Sequence, residues 1–382
     1  MIPYGKQSID ENDIRAVVEV LRSDWLTTGP LVEKFERAVA YFIGAKHAVA
    51  VNSGTAALHS TMFALNIATG DEVIVAALTF AATANAVVYQ GATPIFADVD
   101  EHTLLIDPDV VESKITRKTK CIIAIDYTGQ PCDYDALKYI TKKKGIYLVA
   151  DGCHALGAEY RGQKVGTIAE LTAFSFHPVK HITTGEGGLV TTDNSEFAKR
   201  MARFRNHGIN TDHRIREQKA TWHYEMIDLG YNYRITDFQC ALGMSQLSKL
   251  PGWIARRQEI AHRYNTAFAE LSSVEPLQVR EGLSHAYHLY VIRLNLEKLQ
   301  ADRADVFAAL RAKGIGVNVH YIPVHLHPFY RNRFGTAPGM CPVAEAAYER
   351  LLSLPIFHGM SDDDVDSVIE TVTNLVRSYT VH

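Results

Sequence analysis

Five short, mainly apolar runs, spaced by helix-length stretches, do most to restrict how this chain can fold. They are residues 48–51 (AVAV), 72–76 (EVIVA), 94–99 (PIFADV), 121–125 (CIIAI) and 147–150 (YLVA). Each is apolar at consecutive rather than alternate positions, as in strands buried on both faces. Between them, 55–65 and 134–144 have the length and spacing of helices. Such alternation predicts an α/β fold, a three-layer sandwich about a parallel sheet with right-handed crossovers. Residues 171–176 and 188–192 read as two further strands, close enough in sequence to form a hairpin.

Near residue 250 the texture changes. PGWIARRQEIAHRYNTAFAEL reads as one long amphipathic helix introduced by Pro251, followed by strand-like runs at 287–294 and 315–321, a helix around 303–313 and a closing helix from Ser361. The expected domains are therefore 1–249, a large α/β unit, and 250–382, a smaller α+β unit. The length of 382 residues agrees with two domains at about 150 residues each.

Composition removes several functional classes. With 39 Lys and Arg against 43 Asp and Glu, the net charge is −4, without the basic excess of a nucleic-acid protein. The five cysteines form no Cys-x-x-Cys pair, which fits a reducing cytoplasm better than a disulfide framework. The most apolar stretch, 73–89, is 17 residues long and interrupted by Thr79, Thr83 and Asn85, less than a bilayer requires. No secretory signal is visible at the N-terminus. The expectation is a cytoplasmic protein with no membrane and no nucleic-acid partner.

Three segments carry possible chemistry. Asn52-Ser53-Gly54-Thr55 follows the AVAV strand and opens a helix, whose free N–H groups and positive dipole end suit a phosphate; ordinary capping by Ser53 or Thr55 is the simpler alternative. Asp151 ends the YLVA strand, where open α/β sheets bind ligands, and would suit a cationic ring nitrogen; it could equally cap the next helix, with His154 an interior histidine. Lys180 lies in FSFHPVKHITTGEGG, an apolar stretch flanked by glycines. A desolvated, neutral amine there can attack a carbonyl, against the alternative of a solvent-exposed structural lysine. His320, His325 and His327 cluster in VHYIPVHLHPFYR without the i, i+4 spacing of helical ligands, so a substrate-lining loop is preferred to a metal site. Neither G-x-G-x-x-G after a strand nor G-x-x-x-x-G-K-[ST] occurs.

Taken together, NSGTAAL, VADGCHALGA, SFHPVKHITTGEGG and GYNYRITDFQCALG resemble the sugar-nucleotide aminotransferases of the DegT/DnrJ/EryC1/StrS type, pyridoxal 5'-phosphate enzymes with the aspartate-aminotransferase fold. SDWLTTGP and VHYIPVHLHPFY are most similar to the branch that makes the 4-amino precursor of pseudaminic acid. The resemblance implies transfer of an amino group, with L-glutamate as donor, to the C4 keto group of a UDP-linked 4-keto-6-deoxy-N-acetylhexosamine. It makes Lys180 the catalytic lysine that bonds the cofactor, pairs Asp151 with the ring nitrogen, sets His154 near the ring hydroxyl and stacks Phe80 on the ring. Gly54, Thr55 and Ser175 would hold the phosphate. Asn232 would reach it from the neighbouring subunit of a homodimer with shared sites, with Arg234 assisting. For the nucleotide sugar, the resemblance implies Tyr4, Asp24, Trp25, Thr27, Tyr321, His325 and His327. A 3-dehydratase branch has His at the lysine position, and a regulatory protein of the same fold would be expected to lack Lys180 or Asp151; both are present here.

Overall fold

The computed structural model describes residues 1–218 and 220–381. Seven strands form the main sheet: β1 (His47–Val51), β2 (Glu72–Ala76), β3 (Thr93–Ala97), β4 (Thr119–Ile125), β5 (Tyr147–Asp151), β6 (Leu171–Ser175) and β7 (Gly188–Thr192). Their order is β1-β7-β6-β5-β4-β2-β3. Six run the same way, but β7 is antiparallel to both β1 and β6, so the sheet is mixed rather than parallel throughout. The 176–187 connection holds no crossover helix, and it returns the chain antiparallel beside β6.

Successive residues of a strand point to opposite faces, and here both faces are covered. Val49, Val51, Ala173 and Val190 join one buried cluster, while Ala50, Phe174 and Leu189 join another. Local sequence starts and stops the covering helices. Asp10 caps α1 (Glu11–Leu21) in a capping box with Asp13, and Pro30 opens α2 (Pro30–Ile43), which ends on Gly44 in the left-handed region at φ 92°. Ser53 caps α3 (Gly54–Ala64) by accepting from the Ala56 amide, and α3 is buried almost all round because small residues fill it. Phe80 precedes α4 (Ala81–Tyr89), and Thr236 opens α5 (Asp237–Leu247) with a capping box to Gln239.

The long helix α6 (Leu250–Phe268) joins two cores. Leu250 and Ile254 pack with the main sheet, whereas Ile260, Ala261, Tyr264 and Phe268 pack with a second core over β8 (Val274–Pro276), β9 (Tyr290–Leu294) and β10 (Leu351–Leu354). The packing changes inside α6, some residues beyond the expected boundary at 249/250. The chain start crosses too: Ile2 bridges Ile315 and packs against the second core.

Two expected strands differ. The run 287–294 pairs only from Tyr290, because Tyr287 takes φ 45° and its amide turns back to His285 Nδ1 at 2.8 Å. The run 315–321 forms no ladder, bridging only at Ile315 and Asn318, and the Val317 amide turns back to the Ile315 carbonyl at 3.1 Å. Among the described residues no helix is long and apolar enough to cross a membrane.

Candidate active site

Strands β1, β2, β5 and β6 are mutually parallel, so their C-terminal ends share one edge of the sheet. β1 runs into Asn52-Ser53-Gly54 and α3, β2 into Thr79 and Phe80 ahead of α4, β5 ends on Asp151, and β6 ends on Ser175. Ligands of open α/β sheets bind at this edge.

At its floor is a cradle for an anion. Gly188 pairs with Val51 on one side and Ser175 on the other, holding the start of α3 beside the end of β6. A Cβ on Gly54 would fall 2.9 Å from Ser175 Cβ and 3.1 Å from its hydroxyl, so glycine is what keeps the α3 amides open. These amides, with the part-exposed Thr55 and Ser175, have the donor chemistry a phosphate needs.

Asp151 is buried beside this cradle. Its Oδ2 accepts from Thr83 Oγ1 at 2.7 Å, and its Oδ1 accepts from the Cys153 amide at 3.2 Å. Thr79 Oγ1 stands 2.7 Å from Thr83 Oγ1; because the Thr83 proton is committed to Asp151, Thr79 is the donor of that pair. Lys180 faces the same space. Desolvation pulls its pKa down, partly offset by Cys153 and Asp151, so the amine is more readily neutral than a surface lysine.

His154 supplies a buried ring nitrogen. Burial holds the Tyr321 phenol well above its ordinary pKa, and its hydroxyl shares a 3.1 Å hydrogen bond with His154 Nε2. Burial, reinforced by Lys180, His320 and His181, holds the His154 imidazole neutral. Its Nδ1 is buried without a protein partner. A buried carboxylate, an unpartnered buried ring nitrogen, a desolvated amine and an anion cradle are together a set that fits a pyridine ring bearing an aldehyde, a hydroxyl and a phosphate.

The remaining expected residues separate into two groups. Phe80, about half exposed, lies 5.7 Å from the Tyr321 ring; Tyr4 lies 5.3 Å from His320, and Gly5 packs against Val179, next to Lys180. Asn232 is exposed, and its carbonyl accepts from Asn52 Nδ2 at 3.3 Å, beside the start of α3. Arg234 donates to Asn206 Oδ1 at 2.8 Å. Thr27 bridges Thr236 and, with Arg203, Arg205, Asn206 and Arg234, lines a separate cavity of about 840 Å³. Trp25 stands beside Gly29, and Asp24 is exposed. His327 is partly exposed ahead of the short helix Pro328–Phe334.

His325 does not line the cleft. It is 0% exposed, bonds Glu345 through Nε2 at 2.8 Å and packs near Phe96, so the expectation that it meets substrate is corrected. Its place in an otherwise apolar turn, after Pro323 and Val324, hides a structural histidine among cleft residues. Conversely, sequence reasoning passed over Thr83, which anchors Asp151, and His288, whose Nε2 is 3.4 Å from Lys180 Nζ. The only clue to His288 is a histidine next to the apolar run that becomes β9.

A model of the DegT/DnrJ/EryC1/StrS aminotransferase family matches residues 7–373. The chain is 43% identical over 378 residues to the spore coat polysaccharide biosynthesis protein SpsC of Bacillus subtilis, covering 98% of this chain and 97% of that one. It superposes with TM-score 0.94 on the PMP-form of the putative sugar aminotransferase Spr1654 from Streptococcus pneumoniae, at 36% identity, covering 99% and 100% of the two chains. A PLP-form of that protein matches with TM-score 0.92 at 35% identity, covering 99% of each chain. Helicobacter pylori PseC, an aminotransferase of pseudaminic acid biosynthesis, matches with TM-score 0.92 at 34% identity over 99% and 100%.

Proposed function

This chain belongs to the DegT/DnrJ/EryC1/StrS aminotransferase family, and on that premise we propose that it aminates the C4 keto group of a UDP-linked 4-keto-6-deoxy-N-acetylhexosamine, taking nitrogen from L-glutamate, on the route to pseudaminic acid. It is a transaminase dependent on pyridoxal phosphate, as its family and its structural neighbours in PLP and PMP forms indicate. The observation that carries the reading is the convergence of Lys180 and Asp151 beside the open start of α3 at one sheet edge.

Bound there, the cofactor supplies an aldehyde for an amine and a ring that draws electrons from the carbon losing its proton. Lys180 would bond the cofactor through its neutral amine and carry a proton between the two carbons of the transfer, a role its desolvation favours. Asp151, fixed by Thr83 and the Cys153 amide, keeps a proton on the ring nitrogen. His154 Nδ1 would face the ring hydroxyl, Phe80 would cover the ring, and Gly54, Thr55 and Ser175 would hold the phosphate. Tyr4, Asp24, Trp25, Thr27, Tyr321 and His327 are the proposed sugar-nucleotide contacts.

The functional unit is proposed to be a cytoplasmic homodimer in which Asn232 completes the neighbour's phosphate site. Supporting this, Asn232 follows an exposed apolar run with Trp222 at 84% and Leu229 at 75% exposure, together with Tyr224, Met226 and Ile227. Surface of that kind marks an interaction face.

Likeness to PseC supports the pseudaminic acid branch. Greater identity to SpsC favours a second reading, in which another nucleotide-linked 4-keto sugar feeds a polysaccharide. A panel assay separates them, offering glutamate with the UDP-linked N-acetylhexosamine, a GDP-linked 4-keto-6-deoxyhexose and a UDP-linked 4-keto pentose. The proposal expects the first to be aminated at least about tenfold faster. Equal or preferential use of either other sugar rejects the branch while keeping the enzyme class.

A further inference from the structure

His288 has no part in the chemistry described so far, yet it is the side chain within hydrogen-bonding distance of Lys180 Nζ, at 3.4 Å from Nε2. It is 5% exposed, two residues before β9, with its ring 4.4 Å from that of His154 and 5.6 Å from that of His181. Its Nδ1 is buried and has no partner. Burial, followed by Lys180, His154, His181 and Arg257, holds its pKa well below the ordinary value, so the ring is neutral.

A neutral imidazole has one N–H and one lone pair, and the surroundings decide which nitrogen carries which. With the hydrogen on Nδ1, a buried donor would have nothing to donate to. With the hydrogen on Nε2, the orphan is only a lone pair, the less costly of the two. That second tautomer directs an N–H at Lys180, and only an unprotonated amine has a lone pair to receive it.

We propose that His288 is a positioning residue that donates its Nε2–H to the lone pair of Lys180, keeping this amine neutral and docked whenever it is not bonded to the cofactor. The inference rests on the role given to Lys180 above. Six groups face the amine. Asp151 and Cys153 favour its charged form; His154, His181 and His320, all held neutral by burial, add no positive charge; His288 favours the neutral form. Its donation therefore works in the same direction as desolvation, the largest influence on Lys180.

The test is the protonation midpoint of Lys180 in the full-length, cofactor-free chain. It is read by competitive acetylation with trace acetic anhydride across pH, with mass spectrometry of the Lys180 peptide. His288→Leu keeps bulk and excludes water but has no donor, and its apolar surface alone would lower the midpoint. The inference predicts a rise, with proton affinity about tenfold higher. His288→Gln, whose amide N–H can replace the Nε2–H, should return the midpoint close to wild type. An unchanged or lower midpoint in His288→Leu, or no return in His288→Gln, overturns the inference. Should His288→Leu fail to fold, the ¹⁵N shifts of the wild-type ring decide: Nε2–H supports the inference and Nδ1–H rejects it. Borohydride treatment of wild type with pyridoxal phosphate is a separate arm. Failure to fix cofactor on Lys180 defeats the functional reading and leaves the midpoints readable.

Discussion

Thr83 Oγ1 donates a 2.7 Å hydrogen bond to Asp151 Oδ2, joining the first turn of α4 to the end of β5 across 68 residues of sequence. It fixes one oxygen of a buried carboxylate while the Cys153 amide fixes the other. Thr83→Val preserves shape and removes this donor, so the carboxylate is left less well satisfied, at a stability cost of about 1–3 kcal/mol. The expected outcome is a lower Tm and a single-turnover rate reduced about tenfold, with cofactor retained. Asp151→Asn should lose far more of the rate, because an amide cannot balance a positive charge on the ring nitrogen. Wild-type single-turnover rates in both variants would reduce Asp151 to a structural role, holding the turn after β5 through the Cys153 amide.

A second prediction concerns Gly188. A Cβ there would lie 2.2 Å from the Ser53 carbonyl oxygen and 2.8 Å from the Gly54 nitrogen, both backbone atoms that cannot rotate away. Gly188→Ala should therefore cost about 1–3 kcal/mol by overpacking and displace the start of α3, weakening the affinity for pyridoxal phosphate. Gly252→Ala, with nothing within 4 Å and a place inside α6, is the control and should stabilise slightly. Equal cofactor titration curves for Gly188→Ala and wild type would contradict the cradle.

How far these features are legible in the sequence depends on where their partners lie. Asp151 and Lys180 stand out because each has a local context: the end of an apolar run, or a glycine-flanked apolar stretch. Thr83 and His288 gain their meaning from residues 68 and 108 positions away, and no local pattern encodes that proximity. The strand segments were readable from consecutive apolar residues, and the closeness of 171–176 and 188–192 in sequence pointed to the hairpin that β6 and β7 form; the pairing of β7 with β1 was not readable, because its partner lies more than 130 residues away. His325 misled for a related reason: histidine is equally suited to a cleft and to a buried bond, and only Glu345, 20 residues on, distinguishes them.

Acid should destabilise the fold more steeply than one proton allows. Burial lowers the pKa of His59, His320 and His358 to about 4 and that of His285 to about 3, below the 6.5 of an unfolded imidazole. Below about pH 6.5 the unfolded chain binds protons that the folded chain refuses, so their contribution, full above that pH, is lost as pH falls toward 4. Each such group costs up to about 1.4 kcal/mol per pH unit in that window. Asp126 works the other way and offsets one proton, since burial raises its carboxyl to about 7, and stability from that group is lost as pH rises toward 7. Urea unfolding at pH 7 and pH 5 should show a net decrease on acidification. Equal stability at both values would contradict the buried neutral state of these histidines.

Shared sites predict complementation. Mixed Lys180→Ala and Asn232→Asp subunits, each inactive alone, should regain partial activity, because some hybrid dimers contain one site free of both lesions. Asp is chosen because its charge repels phosphate. Hybrids demonstrated by a tag on one partner but showing no activity, or a fully active monomer at assay concentration, would refute the exchange of Asn232 between subunits.

The most direct test of the central claim is chemical identification of the residue that bonds the cofactor. Purified protein is incubated with pyridoxal phosphate, reduced with borohydride, digested and analysed by mass spectrometry, with and without prior exposure to L-glutamate. The predicted result is one phosphopyridoxyl group, on Lys180, its yield falling when glutamate has first converted the cofactor to its amine form. Lys180→Ala should remain folded, carry no such group and have no turnover. Modification of a different lysine, or transaminase activity surviving in Lys180→Ala, would contradict the account.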